Sequence, residues 1–149
     1  KIISTVMIIL ALLLATGCDQ ISNLGGGTTT EGPDIVRQAD LGDNWQMAQM
    51  RVSVPAGDEN SVLLKVKLGD EVDGYYYLEK GDDIRFELIG DSVLYQSPTT
   101  SDRFTFIVPE TVVTTYTLTF SNPTEREEIV FLEVIFPIDA DLFFPIGSN

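Results

Sequence analysis

The sequence predicts an all-β fold: a single antiparallel β-sandwich or jelly roll of about eight strands. Three observations carry the prediction. From Trp45 onward, apolar and polar residues alternate with a period of two, the mark of half-buried strands. Turn signals built from Gly, Pro, Asp and Asn interrupt the alternation at intervals of roughly 8 to 12 residues. No window repeats its apolar residues at helical spacing.

The elements follow in order. Ala48, Met50, Val52 and Val54 give the first strand one apolar face, with Gln49, Arg51 and Ser53 between them. Pro55-Ala56-Gly57-Asp58 turns the chain into Val62, Leu64, Val66 and Leu68, interleaved with Lys65 and Lys67. Past Gly69-Asp70, residues 72–78 form a tyrosine-rich strand, and Gly81-Asp82 turns into Ile84, Phe86 and Leu88. A short strand covers 93–96, after Gly90-Asp91. Phe104, Phe106 and Val108 follow Ser97-Pro98, and Tyr116, Leu118 and Phe120 follow Pro109-Glu110. Ser121-Asn122-Pro123 ends that strand. Residues 129–136 are nearly all apolar, which predicts a central strand covered on both faces, with Glu133 as the exception.

The N-terminus is of another kind. After Lys1, a mostly apolar run over 2–14 ends in Ala15-Thr16-Gly17-Cys18, and Cys18 is the chain's single cysteine. This is the pattern of a bacterial lipoprotein signal peptide. The apolar run enters the membrane, and the small residues before the cysteine fit the peptidase groove. The Cys18 thiol takes a diacylglyceryl group and becomes the new N-terminus. The run is too short for a membrane-spanning helix, which needs roughly 20 residues. Cleavage leaves 149 − 17 = 132 residues with a charge of 8 − 23 = −15, since Lys1 departs with the signal. The expected organisation is therefore a cleaved signal over 1–17, a lipidated Cys18 with a flexible tether over 18–44, the sandwich over 45–136 and a tail over 137–149. The expected location is the extracytoplasmic face of the cell membrane, held by the Cys18 lipid.

Composition excludes much chemistry. The chain has no histidine, so Ser-His-Asp and Cys-His catalysis and His-ligated zinc are out of reach. A lipidated cysteine is no nucleophile. A net charge of −14 repels nucleic acid and anionic headgroups. What remains for an enzyme is a carboxylate pair, Glu79 with Asp83 or Glu87 with Glu133, in a chain with little room for a cleft. The reading is a binding protein without a catalytic site.

Gly74-Tyr75-Tyr76-Tyr77, Gly81-Asp82-Asp83-Ile84-Arg85-Phe86, Phe104-Thr105-Phe106 and Tyr116-Thr117-Leu118-Thr119-Phe120-Ser121-Asn122 together resemble the GOLD (Golgi dynamics) domain family. The resemblance spans roughly residues 52–136. It implies a compact β-sandwich that works as a protein-interaction module, and it carries over no catalytic residue. Two positions depart from the family pattern. Thr115 stands where a Gly is usual, and Ser121 stands where the family has Asp in its Asp-Asn turn.

Two groups of residues are candidate contacts. Asp70, Glu71 and Asp73 in one turn, with Glu79, Asp82 and Asp83 in the next, are oxygen ligands of the kind calcium takes, although acidic residues beside glycine are also ordinary turn formers. No cofactor is expected, and calcium is the alternative these residues offer. Tyr75, Tyr76 and Tyr77 are consecutive on a strand, so at least one ring faces away from the others. An outward ring is free to anchor a protein or stack on a sugar. The tail residues Leu142, Phe143, Phe144 and Ile146 are expected to pack back over a sheet edge. The functional expectation is a protein-interaction module acting on an envelope or secreted partner through a sandwich face or edge. A glycan- or calcium-binding module using the acidic and tyrosine loops is the alternative.

Overall fold

The computed structural model describes residues 32–109 and 115–145. The signal run, the lipobox of Ala15, Thr16, Gly17 and Cys18, and the Gly25–Thr30 stretch lie outside the described residues. Ten strands are present among the described residues: β1 (Asp34–Gly42), β2 (Trp45–Val54), β3 (Glu59–Lys65), β4 (Glu71–Lys80), β5 (Arg85–Ile89), β6 (Val93–Ser97), β7 (Ser101–Ile107), β8 (Thr115–Ser121), β9 (Glu128–Pro137) and β10 (Asp141–Phe143). They form two five-stranded antiparallel sheets, sheet A in the order β1-β2-β9-β4-β7 and sheet B in the order β10-β3-β8-β5-β6. The predicted antiparallel β-sandwich is what the chain forms.

The core lies between the sheets and is filled by the inward residues of each alternation. Met50, Val52, Leu132 and Val134 from sheet A meet Leu64, Phe86, Leu118 and Phe120 from sheet B. Tyr76, Phe86, Phe104 and Phe120 form an aromatic centre, with Phe86 stacked on Phe104 at 5.0 Å. Gly74 makes that centre fit. A Cβ there would stand 2.0 Å from the Phe104 ring, so glycine is what lets the ring lie against β4. Gly74 is thus an inward packing position.

Both strands beyond the eight that periodicity shows are edges. Residues 34–42 fall in the expected tether, yet they pair with β2 from Asp34↔Arg51 to Gly42↔Trp45. Most of β1 is exposed on both faces, and two register shifts break its alternation. Without a buried face it carries no period-two signal, and only backbone pairing defines it. At the other end, β10 pairs with the edge of β3, and Leu142 and Phe144 pack on the core. Pro145 lacks the amide hydrogen needed to extend the ladder.

Strand β9 differs from expectation. It is central, between β2 and β4, but only its inner face is buried. Ile129, Phe131, Glu133 and Ile135 lie half-buried on the outer face of sheet A. An apolar run shows that a strand is central without showing that a second layer covers it.

Candidate functional site: the outer face of sheet A

Strand register decides what stands beside what on this face. Across β2, β9, β4 and β7, one row reads Gln49, Glu133, Tyr75, Arg103, and the next reads Arg51, Phe131, Tyr77, Ser101. Met47, Ile135, Asp73 and Thr105 form the row on the other side. Directly opposed residues share a face and interact. The result is an aromatic and apolar middle of Tyr75, Tyr77, Phe131, Ile135 and Met47.

Planar groups line up through this middle. Arg103 lies over the Tyr75 ring at 5.2 Å, Tyr75 is 5.8 Å from Tyr77, and Tyr77 stacks on Phe131 at 5.0 Å with 26° between planes. Each ring therefore spends part of its surface on its neighbour. The guanidinium over Tyr75 gains from the negative ring face.

Polar pairs lie among and beside the rings. Arg51 of β2 donates to Glu79 of β4 through Nε at 2.6 Å and an Nη at 2.9 Å, a bidentate pair that spans the intervening strand β9. Its donors hold the Glu79 carboxyl below the usual carboxylate range. Gln49 donates to Glu133 at 2.6 Å, which explains the one charge in β9's apolar run. Thr105 donates to Asp73 at 2.5 Å.

The sequence-predicted residues divide as follows. Tyr75 and Tyr77 are on the outer face, as alternation requires. Tyr76 is fully buried against Phe86 and Phe120, and its hydroxyl donates to the Thr99 carbonyl at 3.1 Å, so it is no contact residue. The acidic candidates do not converge. Asp70, Glu71 and Asp73 sit where β4 begins, whereas Asp82 and Asp83 follow its far end, separated by roughly 30 Å of extended strand. Among the described residues, no group of three or more carboxylates could hold a metal ion. Of the carboxylate pairs, Glu79 is engaged by Arg51. Glu87 stands on sheet B and Glu133 on the outer face of sheet A, so the sandwich lies between them.

Phe131, Arg103 and Arg51 carry no sequence signal that marks them as contacts. Their alternation marks them as outward, but only register brings β9 and β7 beside the tyrosines. Compared with known proteins, the chain matches no family model and no curated relative.

Proposed function

We propose that the protein is a lipid-anchored, extracytoplasmic binding module that holds a partner protein against the outer face of sheet A. The observation that carries this reading is the row of Arg103, Tyr75, Tyr77 and Phe131. Rigid aromatic rings and arginine are what the centres of protein interfaces are rich in, and they cost little side-chain entropy to present. Because the rings face one another, they offer a sugar little flat surface to stack on, which favours the protein over the glycan.

The lipobox ending in Cys18 supports the anchoring half of the proposal, since a diacylglyceryl group supplies the two acyl chains that stable attachment needs. The GOLD-like motifs support the interaction half. A photo-crosslinking amino acid at position 77, in cells that express the protein, tests the reading against the same probe at Thr117 on the outer face of sheet B. One dominant protein captured from 77 and not from 117 is the expected result. Equal capture from both positions, or capture from neither, overturns the proposal.

A further inference from the structure

One end of the sandwich carries a cavity of about 680 Å³ where three turns meet. Trp45, Pro137 and Ile138 form its apolar wall, and the carboxylate-bearing residues Asp43, Glu71 and Asp139 are among the rest of its lining. The turns are fastened by main-chain bonds: Ile138 N–H donates to Asn44 O at 2.8 Å, and Gly69 N–H donates to Val108 O at 3.1 Å. Gln46 reinforces them, its side-chain amide lying 3.1 to 3.2 Å from the carbonyls of Pro137, Ile138 and Ala140. Two of the three turns are therefore tied to each other, and the third is tied to the chain that follows β7.

Its chemistry is lopsided. Large apolar side chains stand exposed around it, Ile138 at 48 % in the wall, Leu68 at 61 % beside Gly69, and Ile107 at 65 % directly opposite Glu71. The nearby cation Lys67 is bound to Asp139, which leaves the carboxylates of Asp43 and Glu71 without a basic partner among the described residues. Among the described residues, no three of the carboxylates converge as an ion would require.

We propose that this cavity docks a basic, amphipathic segment of a partner protein. An apolar side chain of the segment enters against Trp45 and Ile138, and flanking Lys or Arg side chains meet Asp43 and Glu71. Apolar contact supplies the affinity, while charge complementarity sets orientation and speeds encounter. A cation close to the Trp45 ring gains further from its face. The inference rests on the lining of the cavity and does not need the aromatic row of sheet A.

Trp45 is the chain's one tryptophan, so its fluorescence reports directly on the cavity. The titrant is the synthetic peptide acetyl-Lys-Leu-Lys-Leu-Lys-Leu-Lys-amide, with its Lys-Ser counterpart as a charge-only control. The expected result is a saturable change in Trp45 emission with the Lys-Leu peptide and none with the Lys-Ser peptide. The double variant Asp43→Asn/Glu71→Gln should weaken binding by about tenfold, and raised salt should weaken it too. Asp58→Asn/Glu59→Gln removes the same charge from a turn outside the cavity and should leave binding unchanged. Ile138→Ser, at an exposed position, should reduce binding while the thermal melt stays as in the parent. Tyr77→Ala, three cross-strand rows along the same face of sheet A, should leave it intact, which separates this site from the aromatic row. Equal response to both peptides, equal loss in both charge variants, no response at all, or a fluorescence change with calcium chloride alone overturns the proposal.

Discussion

The hydroxyl of Tyr95 on β6 donates to the carboxylate of Asp102 on β7 at 2.6 Å, and this bond joins sheet B to sheet A. Ser97 adds a second donor to the same oxygen at 2.8 Å. The Tyr95 ring packs beside the stacked pair of Phe86 and Phe104, so the residue ties the sheets by its apolar body and its polar tip together. Hydrogen bonding to the Asp102 carboxylate pushes the Tyr95 hydroxyl up to about 12, and the Tyr95 and Ser97 donors hold Asp102 below the usual carboxylate range.

These shifts fix the signs of a pH dependence. Tyr95 keeps its proton more tightly folded than unfolded, so its stabilising contribution is intact below about pH 10 and fades as pH rises toward about 12. Asp102 is depressed, so its contribution is intact above an unfolded value near 3.8 and is lost as pH falls through its lower folded value. Tyr95→Phe should cost about 1.5 kcal/mol at neutral pH and flatten both flanks, as read by urea unfolding across pH. A variant as stable as the parent, with unchanged flanks, contradicts the bond.

Gly74→Ala should destabilise the fold by about 3 kcal/mol, because the added methyl overlaps the Phe104 ring. Phe104→Leu should lose stability too, yet the double variant should lose less than the sum of the two. The comparison is a double-mutant cycle in urea. Simple additivity would mean that the ring moves aside at little cost.

Asn122→Ala should cost about 3 kcal/mol, since the buried amide nitrogen reaches Val54 O, Pro55 O and Arg126 O at 2.6 to 3.0 Å. Asn122→Asp should be worse at neutral pH, because a carboxylate faces the same carbonyls with no hydrogen to give. Equilibrium denaturation of both variants checks the order.

Tyr76→Ala and Tyr77→Ala separate packing from contact. The first empties part of the aromatic core and should cost about 4 kcal/mol. The second removes a half-buried outer ring and should cost about 1 kcal/mol while abolishing partner capture on sheet A. Thermal melts and crosslinking read the two effects side by side.

The inner face of the sandwich is legible in the amino-acid order itself. Ala48, Met50, Val52, Val54, Ile84, Phe86, Leu88, Tyr116, Leu118 and Phe120 alternate in sequence and are buried. Sheet edges are less legible. The strand β1 buries little and is bulged, so its residues read as tether until β2 is seen beside them. Leu68, in phase with Val62, Leu64 and Val66, is exposed because the strand has already ended in a turn.

Sequence alone determined the fold class, most of the inward residues, the split of the three tyrosines between two faces and the absence of histidine from the chain. Each of these depends on residue type or on a period along the chain, and both are local. Tertiary structure alone decided that Phe131 stands beside Tyr77, that Arg51 reaches Glu79 across β9, and that Trp45, Glu71 and Ile138 share a cavity. Those neighbours come from strands far apart in the chain. Their meeting depends on strand order and register, which the period of two leaves undetermined.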